Sequence, residues 1–499
     1  MKPLICCFGI LLLFQSFALR PQSISQVEKM KYTLGFSTYL FHTDKYAANY
    51  DIYTGSDGFI YISGNTRDKN FPSTEGAYQR ELKGEADAFV AKFTPEGKIV
   101  FATLIGGTKR EHHTHITVDK DGYIYLAGGT HSSDFPVTRG AYDTSFNGEG
   151  EWAGDVYVIK MNPTGSGIVW STFIGGKVEE TPGDIKIDSK GNILIAGVTC
   201  SGDFPTTKGV IGNKFSKQVS FLSKFSPSGD KLLLSSFLGN GVGDMITSMA
   251  VDNKDNIYLT GYTATPDLPV TPNAIRRNPG RGNDHFLAKV NGAGTEILYL
   301  SYFAAGGDVS TDITWTDPDR LVVGGSTTED GFPVTPNALR TIRRGERDCF
   351  ISVFNSESMT LEYSTLFGGG EADLIENVSF LSQDTIIVSG ITVSPNFPLT
   401  GDALFSEFPF WEKIFNNTFM GRRKSFFSVI DIRNGKLLYS SYLGACFHFK
   451  TASDSAGNIV FIAEAGQREA AGTTGFPVTE NAITEPPTYL MLGRLVVKK

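Results

Sequence analysis

The apolar positions of this chain fall in short runs bounded by Gly, Pro, Asn and Asp, with polar residues interleaved. Asp87–Phe93 and Asp155–Lys160 alternate at a period of two, while Tyr123–Gly128, Asn192–Gly197 and Asn256–Gly261 are apolar runs that end in glycine. Further runs, such as Val169–Ile174 and Leu233–Leu238, follow a Pro-x-Gly turn. Such patterns send alternate side chains to opposite faces of a strand and predict β-structure throughout. No segment sustains a helical period, which disfavours α/β folds.

The runs recur in register. Phe71-Pro72, Phe135-Pro136, Phe204-Pro205, Leu268-Pro269, Phe332-Pro333, Phe397-Pro398 and Phe476-Pro477 are spaced by 64, 69, 64, 64, 65 and 79 residues. A near-fixed period of this length indicates an array of supersecondary units. Each unit holds four strand-like segments, so seven units predict an all-β, seven-bladed β-propeller with four antiparallel strands per blade. The last unit is short of one strand. The segment 32–40 has no unit of its own, and its Leu34–Leu40 phrase matches the fourth-strand phrase at Leu438–Leu443. It is expected to complete the last blade and close the ring, which removes a free sheet edge.

These phrases resemble a known repeat. Asp134–Tyr142, Asp87–Lys92 and Tyr363–Gly369 are similar to the SBBP-type β-propeller repeat of secreted bacterial proteins, and the Val-Asp-x-x-Gly-Asn-Ile-Tyr phrase has some similarity to NHL-type propeller repeats. The resemblance covers nearly all of the chain beyond its first residues. It implies a fold, an extracytoplasmic setting and an interaction role, and it brings no general catalytic signature.

Composition sharpens this. With 499 residues, 40% hydrophobic and 20% charged, the chain is neither disordered nor a coiled coil, and 55 Gly and 37 Phe suit short strands, many turns and aromatic core fillers. A net charge of −8 excludes a globally basic nucleic-acid binder, and no nucleic-acid partner is expected. Lys2, the apolar run Leu4–Phe14 and the small residues before a cut after Ala18 read as a signal peptide. The expected organisation is a leader at 1–18, an N-terminal segment at 19–31 and one propeller at 32–499. The mature chain is expected to be secreted, periplasmic or on the cell surface, monomeric, and without a membrane span. It keeps Cys200, Cys349 and Cys446, whose spacing indicates neither a disulfide framework nor a zinc site.

Repetition offers an internal control: a residue present in most blades is read as structural, one present in a single blade as a candidate for function. The Phe-Pro pairs and the third-strand Asp87, Asp155, Asp284 and Asp348 fall in the first class, the phenylalanines packing between blades and the aspartates bonding nearby backbone. Asp119-Lys120-Asp121-Gly122 looks like part of a calcium loop but lacks the remaining ligands, and its counterparts read as hairpin turns. Aligning the second-strand glycines places Asp51, His115, Asp184, Ser248, Asp312, Asn377 and Lys450 at one position of the axial strand. They would form a polar ring at one channel mouth, able to hold a cation or water, or else bonding backbone and solvent, the reading preferred here. His113 and His115 are expected on one strand face, with His448 equivalent to His113, which would begin but not complete a zinc site.

The connections between second and third strands vary most. Blade 3 carries Lys208, Lys214 and Lys217; blade 4 Arg276, Arg277 and Arg281; blade 5 Arg340, Arg343, Arg344 and Arg347; blade 6 an insertion with Trp411, Arg422 and Arg423. Blades 1 and 2 carry Glu75, Glu81, Glu85, Glu149 and Glu151 instead. One face is therefore expected to be basic over blades 3–6. Forked arginines grip carboxylates, sulfates and phosphates, and aromatic rings stack on sugars. The expected function is non-catalytic binding of a protein or anionic glycan through these rims, with no cofactor and no metal. The alternative is a polysaccharide hydrolase or lyase at the channel mouth, which would need carboxylates converging from different blades.

Overall fold

The computed structural model describes residues 31–42, 50–407, 423–465 and 489–498, apart from positions 149, 151–152, 213, 216, 239–244, 281, 307–310, 445 and 455. Residues 1–30, on which the expected leader falls, and Trp411, Arg422 and Phe476-Pro477 lie outside them. All regular structure among the described residues is β, in seven four-stranded antiparallel sheets. No helix among them is long and apolar enough to cross a membrane.

Blade 1 shows the plan: Asp51–Thr54, Ile60–Thr66, Asp87–Phe93 and Ile99–Ile105 pair in chain order. The first strands of the other blades are Glu111–Val118, Glu180–Ile187, Met245–Val251, Asp312–Thr316, Asp373–Ser382 and Cys446–Ser453. Each contacts the first strand of the next blade, and that of blade 7 contacts that of blade 1. They therefore line a closed axis. Blade 7 takes its outer strand from the other end of the chain. Lys31–His42 pairs antiparallel with Tyr489–Lys498, in the sheet that also holds Ile459–Ala465 and Cys446–Ser453. The expected strand complementation is present, slightly longer than 32–40 at both ends.

The alternating runs have two buried faces because each sheet is sandwiched between two others. One apolar cluster fills each gap between blades. Tyr61, Val90 and Phe101 of blade 1, for example, meet Ile116, Leu126 and Phe173 of blade 2. Across the closing gap, Val460, Ile462, Leu490 and Leu492 of blade 7 pack on Ile60, Phe89 and Leu104 of blade 1.

The Phe-Pro phenylalanines join these clusters, but their ring partner is on their own blade. Phe71, Phe135, Phe204, Phe332 and Phe397 lie on the third-strand rings of Phe89, Tyr157, Phe221, Phe350 and Phe426, with centroids 5.4, 4.4, 4.7, 4.9 and 4.3 Å apart. They act as a lid on their own sheet as well as filler against its neighbour. Blade 4 departs from the pattern. Leu268 stands where the others carry Phe, and an apolar cavity of about 110 Å3 lies beside it, lined by Pro269, Phe286 and Leu300 among others. Restoring the ring with Leu268→Phe should fill this space and raise stability by about 1–2 kcal/mol. The check is a higher melting temperature, with the far-ultraviolet spectrum unchanged.

Candidate functional site

The axial strands are not regular, and their irregularity builds the site. In blades 3, 4 and 6 one residue bulges out of register, Gly183, Thr247 and Glu376; in blade 2 His113 and Thr114 do so together, and blade 7 has the same two-residue shift between Cys446 and Phe449. A bulge turns its extra side chain away from the ladder and bends the strand. The repeated second-strand glycine answers it. A Cβ on Gly261 or Gly390 would lie 1.8 or 1.9 Å from the carbonyl oxygen of Met245 or Leu374, just before the bulge. Backbone crowding thus explains why the motif ends in glycine.

Beyond the bulge the register is restored, and the seven aligned positions are structurally equivalent. Asp51, His115, Asp184, Ser248, Asp312, Asn377 and Lys450 face Ser63, Ala127, Ala196, Thr260, Gly324, Ser389 and Ile462. All but one of these second-strand partners directly precede the repeated glycine; in blade 7 Ile462 precedes Ala463 instead. The ring residues line an axial cavity of about 420 Å3 together with Tyr53, His113, Lys186, Thr247, Thr311 and Glu376.

The ring carboxylates reach across blade boundaries. Oδ2 of Asp51, Asp184 and Asp312 accepts the main-chain N–H of Ile116, Met249 and Val378 at 3.1, 2.8 and 2.9 Å. In each case the donor directly follows the ring residue of the next blade. Asp312 also accepts from Ser248 Oγ at 2.8 Å and Asn377 Nδ2 at 2.9 Å. Thr451 Oγ1 donates to Asn377 Oδ1 at 2.9 Å, and Lys450 Nζ meets Asp51 Oδ1 at 3.3 Å. Lys186 holds both oxygens of Asp184 at 2.6 and 2.7 Å, and His115 Nδ1 lies 3.8 Å from Asp51. The three ring aspartates thus bond main chain, and that main chain belongs to the neighbouring blade.

Charge states follow. Burial would raise the Asp51 carboxyl, but Lys450, His115 and Lys186 together hold it well below the usual carboxylate range. Burial outweighs the donors around Asp312, and its carboxyl is raised. Burial would lower the Lys450 ammonium, but Asp51, Asp312 and Asp184 raise it instead. Burial lifts Glu376 to about 7 against the pull of the Phe449 N–H, Lys450 and Arg423.

The histidines do not share a simple strand face. His113 sits in the bulge at φ 52°, its Nδ1 2.8 Å from Nδ1 of His112, whose ring stacks at a tilt on His131. Burial, then His115 and Arg110, push His113 down to about 4. The His448 side chain lies outside the described residues, and no metal-holding group of His, Cys, Asp and Glu is found among the described ones. Asp119 Oδ1 accepts the N–H groups of Asp121 and Tyr123, which makes its loop a hairpin turn.

The rim arginines differ among themselves. Arg276 is paired with Glu329 of the next blade and lies 3.8 Å from Asp284. Arg340 bonds Asp348 at 2.7 Å, and Arg343 bonds Asp330 at 3.0 Å. Arg423 is half-buried and acts on Glu376. Arg277 and Arg344 are exposed, as are Lys208, Lys214 and Lys217, and none of these five has an ion pair among the described residues.

Sequence reasoning missed Glu376 and a second set of buried carboxyls. Asp87, Asp284 and Asp348 cap the loop before their strand as expected, accepting the N–H groups of Lys83, Gly280 and Arg344, and Asp155 that of Asn147. Beside Asp87 and Asp155, each across a blade boundary, lie Glu111 and Glu180. Glu111 accepts the hydroxyls of Thr130 and Ser132 at 2.8 and 2.7 Å, and burial lifts it to about 7. Burial likewise lifts Asp155 to about 7 and Asp373 to about 6. The signal was available: Thr-x-Ser two residues apart after the second strand, opposite an acid that opens the first.

Residues 101–136 match the family model of the SBBP β-propeller repeat, running from an outer strand of blade 1 to the Phe-Pro of blade 2. The fold is a β-propeller, and this stretch of it is similar to the SBBP repeat. A WD repeat-containing protein of Acanthamoeba polyphaga mimivirus, itself uncharacterized, is 27% identical over 236 residues, 42% of this chain. The chain covers 17% of that relative's length. Among solved structures, a protein of unknown function from Dyadobacter fermentans is 13% identical, covering 74% of this chain and 96% of that one at a TM-score of 0.41. The Dos1 propeller is 9% identical, covering 94% and 95% at a TM-score of 0.41.

Two outcomes are expected of this propeller. Lys450→Met removes the cation facing Asp51 and should cost about 1–2 kcal/mol near neutral pH, allowing for the partial exposure of the lysine. Because the Asp51 carboxyl is depressed in the fold, its contribution is present above its unfolded value of 3.8 and is lost as pH falls below it. The variant should therefore begin its acid unfolding at higher pH, as read by tryptophan fluorescence. Glu111 has the opposite sign: raised from 4.5 to about 7, it stabilises below 4.5 and loses that contribution as pH rises through 7, up to about 3 kcal/mol. Glu111→Gln should shrink the drop in melting temperature between pH 5 and pH 8.

Proposed function

We propose that this protein is a secreted or surface-displayed, non-catalytic propeller that holds an acidic partner, a protein or an anionic glycan, on the rim of blades 3–5. The observation that carries the reading is the set of exposed cations without an ion pair among the described residues: Lys208, Lys214, Lys217, Arg277 and Arg344. Two residues before Arg344, Ile342 is 73% exposed, the most exposed large hydrophobic side chain among the described residues. Exposed cations with an apolar side chain among them are the make-up of a contact patch for an acidic surface. Arg276, Arg340 and Arg343 support this rim from within, because their acids fix the loops that present it. The leader pattern at residues 1–18 supports export, and the WD-repeat relative supports an interaction role.

The net charge of −8 makes the test specific, since a chain of that charge meets a polyanion only through a local patch. The full chain should be retained on immobilised polygalacturonate or heparin, or captured by an acidic protein, with retention falling steeply as salt rises. The triple variant Lys214→Ser, Arg277→Ser, Arg344→Ser should elute several-fold earlier in salt. Equal retention of the variant and the parent would sink the reading.

A further inference from the structure

The axial cavity is separate from the rim, and three of its features point to a ligand. The first is size. At about 420 Å3 it falls within the range of small-molecule pockets, roughly 300–1,000 Å3. The second is the origin of its singular residues. His113 of blade 2 and Glu376 of blade 6 both lie at bulges of their axial strands and line the cavity, and among the described bulges only that of blade 6 carries an acid. His113 keeps a left-handed backbone at φ 52°, a conformation that side chains rarely adopt and that clusters at binding sites.

The third feature is charge balance. Asp51, Asp184 and Asp312 stand against Lys186 and Lys450, and Glu376 stands against Arg423, so the formal charges cancel to a single negative unit. The aspartates are engaged by neighbouring main chain, as described above. Lys186 and Lys450 remain 35% and 36% exposed, with ammonium donors beyond those their aspartates take. The cavity therefore offers charge-assisted hydrogen bonds with only one unit of net formal charge. Such a lining discriminates against a strongly charged ion and favours a neutral molecule dense in hydroxyls. The half-buried Tyr53 adds a ring wall against which a sugar's C–H face can lie.

The geometry points to the axial cavity as a binding site for a neutral sugar unit, oriented by His113 and Glu376 from opposite sides of the ring and by the ammonium groups of Lys186 and Lys450. It is independent of the rim. A glycan end could sit here whether or not the rim holds an acidic partner.

The test is saturation-transfer NMR on the full chain with glucose, galactose, mannose and N-acetylglucosamine at millimolar concentration, and with glucuronate and glycine as charged probes. At least one neutral sugar should receive saturation, and the charged probes little. His113→Gly removes the ring while easing the backbone, and Glu376→Gln keeps the shape. Both should keep a cooperative melt and weaken binding at least tenfold, whereas the rim variant Arg344→Ser should leave it unchanged. Three results would each overturn the proposal: silence from every neutral sugar, meaning a channel filled by water alone; preference for a charged probe; or binding that survives both cavity variants.

Discussion

An odd number of blades cannot be closed by a strictly alternating ring, and this molecule meets that constraint with one lysine. Aspartates occupy the axial position in blades 1, 3 and 5, and each takes a main-chain N–H from the blade that follows. Continuing the alternation would put an acid in blade 7, directly beside Asp51 of blade 1. Two buried carboxylates facing each other would repel, and one would have to take up a proton. Lys450 stands there instead and turns the frustrated boundary into an attractive one, at 3.3 Å from Asp51. The same boundary is sealed at the periphery by the antiparallel pairing of Lys31–His42 with Tyr489–Lys498. The closing blade is thus held at the axis by charge and at the rim by a strand, while Val460, Ile462, Leu490 and Leu492 fill the space between.

What the sequence could reveal follows from which features repeat. The strand count, the shared period and the missing fourth strand of the last unit are properties of pattern, so the closed ring was legible. The ring position was legible for the same reason: the second-strand glycine marks a fixed register, and the structure pairs each of the seven residues with the second-strand position expected from it. The bulges were not legible. A residue leaves a ladder because of backbone crowding, which leaves no periodic trace, so His113 and His115 looked like same-face neighbours and Glu376 did not stand out. The rim arginines misled in another way. Arg276 and Arg343 read as a row of cations, but their partners Glu329 and Asp330 begin the second-to-third connection of blade 5, and only the folded disc brings Arg276 to Glu329.

The buried carboxyls show how repetition can hide chemistry as well as reveal it. Asp87, Asp155, Asp284 and Asp348 recur because they cap a loop that every blade must turn, and the capping reading is complete within one blade. Glu111 and Glu180 then add a second acid from the next blade, shielded by Thr and Ser hydroxyls rather than by cations. Blades 4 and 5 solve the same crowding with Arg276 and Arg340. One structural position is therefore answered in two ways, by an acid under hydroxyl donors after blades 1 and 2 and by an arginine in blades 4 and 5.

Departures from the repeat carry the remaining information, because a sevenfold scaffold presents the same backbone at every blade. A molecule on the axis of a symmetric ring would meet seven equal walls and could not choose an orientation. Here Lys450 fills one position, Asp residues three, and His115, Ser248 and Asn377 the others, while the bulges add His113 and Glu376 on two sides only. These substitutions break the symmetry where the strands of all blades converge, and they do so without disturbing the cores between blades. The lysine that resolves the odd ring is thus also one of the substitutions that give the axis a direction.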